Sequence, residues 1–289
     1  MKKKIELVLM LVLLLASNSI GRQRAQQPVE LRKISDRLFE IVGGRGAQGG
    51  AYIGDDGVLV IDAKMDKSSV DQVIGAIKGI TDKPINYLVN THSDGDHVAG
   101  NRFFPETVTI VAHDNCRKDF FLPGRNGAAS QWVKPDLAPF VPSVTFSDRM
   151  SIHLGSKTVE LWYFGVGHTT GDLVVYFPEE KTAFIGDQIF LGRAQLIHSY
   201  KGGNSFEHVK TLTKMLETIE AEKFCSGHSE MTNRAGIKNH IGRMKKRQEK
   251  IRSLIAQGKS TEEIKGEFEQ GESRLVESIC NEIKNPSPR

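Results

Sequence analysis

Cysteine is scarce: Cys116, Cys225 and Cys280 are the only three in 289 residues, and they lie far apart. An odd and dispersed set leaves either one disulfide with a free thiol or three unpaired thiols, and rules out a disulfide-stapled scaffold. A dominant charge is missing as well. The formal net charge is +4, and the first 21 residues hold three lysines and one glutamate, so the rest of the chain carries about +2. That excludes the basic footprint of a nucleic-acid binder. Long apolar runs are absent too, since the longest covers residues 7–15, well short of the ~20 residues that span a bilayer.

That one run follows Lys2, Lys3 and Lys4 and gives way to small and polar residues. Charge, short apolar core and small residues in this order read as a secretory signal peptide over residues 1–21, with cleavage near Ser19 or Gly21. No cysteine follows the core to accept a lipid. The expectation is an exported protein without a stable membrane anchor, periplasmic or secreted.

About 265 residues then remain, a length that one layered α/β core can fill. Residues 38–42, 51–53 and 58–61 are short β-branched or aromatic runs separated by glycines, the pattern of an antiparallel meander. Val70, Val73, Ile74 and Ile77 recur at helical spacing, and a strand over 85–89 follows Pro84. Apolar runs at 108–111, 158–164, 173–177 and 182–185 predict a second sheet, with a tight turn at 179–181. From residue 233 an apolar stripe through Ile237, Ile241, Met244, Ile251 and Leu254 runs among lysines and arginines, so 233–289 is expected to be a helical extension. Ser260 to Glu263 has the form of a capping box. The basic run 243–247 reads as a solvated helix face.

The chemistry is concentrated at His92-Ser93-Asp94-Gly95-Asp96-His97, directly after the strand that ends at Val89. Imidazole and carboxylate at this density form a metal-ligand pattern. Three downstream sites echo it: His168 in Gly167-His168-Thr169, Asp187 after Gly186, and His228 after Gly227. Each follows a short apolar strand, and strand ends in a layered fold can converge on one edge. One histidine after a strand is a packing residue more often than a ligand. Four such sites in order, three of them beside glycine, reverse that expectation.

These residues resemble the five metal-binding motifs of the metallo-β-lactamase superfamily over about residues 30–232, in order and in local sequence. The hexad departs from the family's H-x-H-x-D-H at one place, where Asp94 replaces a histidine. The resemblance implies a four-layer αββα sandwich with the metal centre at the edge between the sheets. It implies a first metal site of His92, position 94 and His168, a second of Asp96, His97 and His228, and Asp187 bridging both, with two Zn2+ per chain. The implied activity is hydrolysis of a small-molecule carbonyl, ester, amide or related bond by a metal-bound hydroxide, with Asp96 catalytic in orienting the nucleophile and moving its proton. Aspartate at position 187 is similar to the glyoxalase and general hydrolase branches. The antibiotic-hydrolysing branches place cysteine or serine there, so β-lactamase activity is not favoured.

Asp94 leaves two readings open. As a ligand it hardens the donor set and admits Fe or Mn beside Zn; if it does not reach, the second site works alone. His92, His168 and Asp187 also resemble the 2-His-1-carboxylate iron site of the superfamily's persulfide dioxygenases, so a mono-iron oxygenase is the rival enzyme. A non-catalytic binding protein is the other alternative. Among weaker features, Gly44 to Gly49 satisfies G-x-G-x-x-G but lies between two strands, so it is not read as a nucleotide loop; the resemblance implies a flexible substrate-covering flap there. Residues 122–142, with Trp132 and Phe140, are long enough to form a second lid or a plain surface loop. Arg193, His198, Tyr200 and Lys201 are candidates for holding an anionic substrate group.

Overall fold

In the computed structural model the described residues are 27–124 and 127–285. The segment read as a signal peptide lies outside them. Seven strands form the first sheet: β1 (Glu30–Lys33), β2 (Leu38–Val42), β3 (Gly49–Ile53), β4 (Val58–Ile61), β5 (Ile85–Val89), β6 (Thr109–His113) and β7 (Val144–Phe146), paired in that order. The meander β1 to β4 is antiparallel, and the pairs β4–β5, β5–β6 and β6–β7 are parallel. Parallel pairing needs crossovers. These are α1 (Lys67–Lys78), the short α2 (Gly95–Val98) and α3 (Asp114–Asp119) with the loop after it.

The second sheet holds β8 (Arg149–Leu154), β9 (Lys157–Trp162), β10 (Val174–Phe177), β11 (Thr182–Phe184), β12 (Lys223–Cys225) and β13 (Thr232–Asn233). All its pairs are antiparallel except β11–β12, which α4 (Ser205–Thr218) connects. Three helices follow: α5 (Arg234–Ala256), α6 (Thr261–Lys265) and α7 (Ser273–Lys284). The run at 108–111 belongs to the first sheet, not the second, as β6 beside β5.

Period-two alternation sorts the layers. Leu59, Ile61, Val89 and Val111 of the first sheet meet Val159, Leu161, Val175 and Phe177 of the second between the sheets. Their chain neighbours Val58, Val60, Leu88 and Ile110 face outward onto Val70, Val73 and Ile77 of α1. On the far side, Val174, Tyr176 and Ala183 pack against Leu212 of α4, Ile237 and Ile251 of α5 and Val276 of α7. Burying each such Val, Leu or Phe contributes roughly 1.5–3 kcal/mol. The result is the four-layer αββα sandwich with C-terminal helices, and those helices share one core with the second sheet. Asp66 caps α1 by accepting the Ser69 N–H, and Ser260 and Glu263 close the capping box of α6.

The three cysteines are buried and unpaired. Arg247 of the basic run pairs with Glu272, while Lys245 and Lys246 face solvent. No helix among the described residues is long and apolar enough to cross a membrane.

Candidate metal centre

The carboxyl ends of β4, β5, β11 and β12 meet at one edge of the sandwich, because those strands run parallel in pairs within each sheet. The chain leaves β4 at Asp62, β5 at His92, β11 at Asp187 and β12 at His228. Backbone bonds tie the loops together: Gly227 N–H to Gly186 O at 2.9 Å, Leu173 N–H to Thr91 O at 2.9 Å, and Ala63 N–H to His97 O at 2.6 Å.

All seven residues singled out in the sequence come together here. His92, Asp94, His168 and Asp187 form one group that could hold a metal ion, with ligand atoms within 4.8 Å of one another, and Asp96, His97 and His228 form another. Asp187 lies between them. Its Oδ1 is 3.2 Å from His97 Nε2, and its Oδ2 is 3.4 Å from His228 Nε2 and 3.9 Å from both His92 and His168 Nε2. The first group is buried; Asp96 and His228, joined at 2.9 Å, are the ones that face solvent.

Hydrogen bonds behind the rings set the tautomers. His97 Nδ1 lies 2.7 Å from Asp62 Oδ2, and His168 Nδ1 lies 2.8 Å from the Leu196 carbonyl. Both partners only accept, so both nitrogens carry the proton. Thr91 Oγ1 donates to Asp62 Oδ2 at 2.8 Å, which leaves it to accept from His92 Nδ1 at 3.1 Å. In all three neutral rings the Nε2 lone pair therefore points inward. His92 Nε2, His97 Nε2 and Asp187 Oδ1 are buried without a hydrogen-bond partner, and His168 Nε2 faces Asp94 Oδ2 at 3.0 Å. Lone pairs aimed at carboxylate oxygens repel unless a cation, either a proton on Nε2 or a metal ion, lies between them.

The carboxylates call for a cation at these rings: a second proton on Nε2, or a metal ion in its place. Burial opposes a charge on His168, but Asp94 and Asp187 outweigh it and lift the ring to about 9. Burial likewise opposes a charge on His97, and Asp187 and Asp62 push it well above its ordinary value. Asp187 is held well below the usual carboxylate range by His97, His92 and His168 despite its burial. Glycine makes the approach feasible, since a Cβ at Gly227 would lie 2.5 Å from Asp187 Oδ1 and 2.6 Å from His97 Cε1. The donor set fits a divalent metal, and imidazole with carboxylate suits zinc.

Asp94 reaches the cluster. Its Oδ2 faces His168 and His198 Nε2, at 3.0 and 2.8 Å, and its Oδ1 accepts from Lys201 Nζ at 2.7 Å. His198 and Lys201, candidates for an anionic substrate group, are thus turned onto Asp94. Arg193 lies over the Phe190 ring at 4.1 Å, and Tyr200 is exposed. The glycine loop 44–49 is pinned and does not overhang freely: Ala47 N–H donates to Asp96 O at 3.0 Å, and Gln48 N–H to Gly227 O at 2.7 Å. Inside it, the buried Lys64 ammonium donates to the Gly43 and Ala47 carbonyls at 2.8 and 2.6 Å. In the 122–142 segment Trp132 packs on Phe120, with ring centroids 5.0 Å apart. The segment walls a cleft of about 280 Å3 whose far side is Ser93, Asp119, Tyr200 and Lys201.

Residues 46–228 match the family model described as the metallo-beta-lactamase superfamily. The chain belongs to that superfamily. The metallo-beta-lactamase type 2 of Bacteroides fragilis is 24% identical over 214 residues, 70% of this chain and 80% of that protein. A hydroxyacylglutathione hydrolase of Synechococcus sp. is 31% identical over 143 residues, covering 45% and 46% of the two chains. The alpha subunit of a 2,4-dinitroanisole O-demethylase from Nocardioides sp. is 26% identical over 147 residues, and the match spans only 41% of its length. Among solved structures, a metallo-beta-lactamase from Pontibacter korlensis superposes with a TM-score of 0.62 at 18% identity, over 75% of this chain and 99% of that one. At that identity the likeness shows the fold. Superfamily membership supports a metal-binding hydrolase at the level of enzyme class.

Proposed function

We propose that this protein is an exported hydrolase that holds two divalent cations, zinc first among them, and acts on a small-molecule substrate. His92, Asp94 and His168 would bind one cation, Asp96, His97 and His228 the other, with Asp187 between them. Residues 30–232 would be the catalytic unit and 233–289 its helical buttress. The observation that carries the reading is the set of buried imidazole Nε2 atoms, each with its ring proton fixed on Nδ1, facing the Asp94 and Asp187 carboxylates. Metals bound there supply a Lewis acid and an acidified water near neutral pH.

The chain's own residues do the rest. Asp62, Thr91 and the Leu196 carbonyl orient the rings. Asp96 stays ionised: burial opposes this, but its hydrogen bond to His228 holds its carboxyl below the ordinary value. From the half-buried second group it can hold a water and take its proton. The cleft beside Ser93 and Lys201 is the approach for the substrate. Export rests on the lysine-led apolar run at the N-terminus.

Metal analysis of protein purified without chelator, together with a panel of chromogenic cephalosporin, lactone, thioester, phosphodiester and sulfate ester, tests the reading. Two ions per chain and hydrolysis of at least one substrate, lost in His228→Ala, are expected. Less than one transition-metal ion per chain, with His228→Ala fully active, would sink it. The buried His92, His168 and Asp187 also favour a second reading, a mono-iron persulfide dioxygenase. That reading requires one iron per chain and oxygen consumption with a thiol substrate.

A further inference from the structure

Where the superfamily pattern has a neutral imidazole, this chain has a buried carboxylate. Asp94 occupies the N-cap position of α2, where an aspartate ordinarily accepts a backbone N–H, yet its side chain makes no cap bond. Its two oxygens are divided instead. Oδ2 faces Nε2 of His198, His168 and His92 at 2.8, 3.0 and 3.6 Å, and Oδ1 is taken by Lys201 Nζ at 2.7 Å.

Lys201 is built into place. Its side chain is 9% exposed, and its ammonium donates also to Ser93 Oγ at 2.8 Å. The turn that carries it is stitched to the His168 loop, with His198 N–H donating to His168 O at 2.8 Å and Thr170 N–H to Lys201 O at 3.2 Å. Gly202, at φ 69°, ends the turn in the left-handed region that favours glycine. A surface lysine fishing for a counter-ion would need none of this.

We infer that Lys201 is the second half of the replacement for the missing histidine: its ammonium cancels the charge that Asp94 brings and fixes Oδ1, so that Asp94 presents the metal group with one oxygen and no net added charge. The pair Asp94 plus Lys201 thereby matches an imidazole in charge. Lys201 is a positioning residue, not a substrate anchor, and the inference rests on the proposed reading that Asp94 belongs to the metal centre.

A double-mutant cycle tests it, read by zinc stoichiometry, by chelator competition and by the visible spectrum of cobalt-substituted protein. Asp94→His alone puts a neutral ring beside an unpaired buried ammonium, so its first-site zinc affinity falls at least tenfold. Adding Lys201→Met returns the charge to that of the wild type and recovers at least tenfold. Equal affinities, within threefold, for D94H and D94H/K201M would overturn the inference. Should D94H fail to fold, the Lys201 variants alone decide: K201Q is expected to shift the cobalt spectrum and lower first-site occupancy while K201R keeps both, and K201Q indistinguishable from wild type overturns it. A wild-type protein that binds no metal refutes the proposed metal centre itself, a separate result from equal affinities of D94H and D94H/K201M in a protein that does bind.

Discussion

Asp62 Oδ2 accepts the Nδ1–H of His97 at 2.7 Å, while its Oδ1 takes the backbone N–H of Thr91 at 2.8 Å. One carboxylate at the end of β4 thereby aims a ring from α2 and holds the chain just before His92. Replacing Asp62 by Asn removes an acceptor that His97 needs and frees its tautomer. Asp62→Asn is expected to weaken zinc binding about 10–100-fold with the fold retained, as such outer partners generally do. Competition against a zinc-binding dye checks it; unchanged affinity would remove Asp62 from the machinery.

Gly227 sits against both Asp187 and His97, with no room for a methyl group. Gly227→Ala should therefore displace the two donors and reduce bound metal to below half of the wild-type amount. Thermal melting and metal analysis on one preparation separate this local effect from unfolding. Full metal loading in the alanine variant would contradict the packing.

The seven clustered residues are legible in the sequence because each stands just past an apolar strand, five of them directly beside a glycine. Their supports are not. Asp62 reads as one more acid after a strand, and nothing in the spacing of His198 and Lys201 says that they turn back onto Asp94. The run at 108–111 reads as part of the second sheet for a similar reason, although it lies in the first. A buried parallel strand has no alternation to show which partner it takes. The α5 stripe was legible because its apolar spacing follows the helical repeat.

His208 is fully buried; its Nε2–H donates to the Gln188 carbonyl at 2.6 Å, and its ring centroid is 5.4 Å from that of His240. Burial depresses it to about 4, from 6.5 in the open chain. Below pH 6.5 the unfolded chain takes up a proton that the folded chain refuses. Stability present above pH 6.5 is thus lost as pH falls towards 4, by up to about 3 kcal/mol for this group. Urea midpoints between pH 7.5 and 4.5 should fall more steeply in the wild type than in His208→Gln. Parallel curves would show that the ring is not the source.

Ile251 is wholly buried among α4, α7 and the second sheet, whereas Lys246 of the same helix faces water. Ile251→Ala should cost about 2–5 kcal/mol. Lys246→Ala should stay within about 0.5 kcal/mol of the wild type. Denaturant titration of both variants tests whether α5 is part of the core; equal small effects would detach it.

Glu282 of α7 accepts the Ser205 N–H at 2.9 Å and also its hydroxyl, and Gln248 of α5 donates to the Ser205 carbonyl at 2.9 Å. Ser205 opens α4, and the preceding Asn204 donates its backbone N–H to Gly167, the neighbour of His168. The far end of the chain is thus four links from a ring of the cluster. A protease that clipped the last helix would touch none of the seven donors, yet it would unmoor the turn behind His168. Trimming at the tail would be read out as a loosened hold on whatever ion the cluster binds.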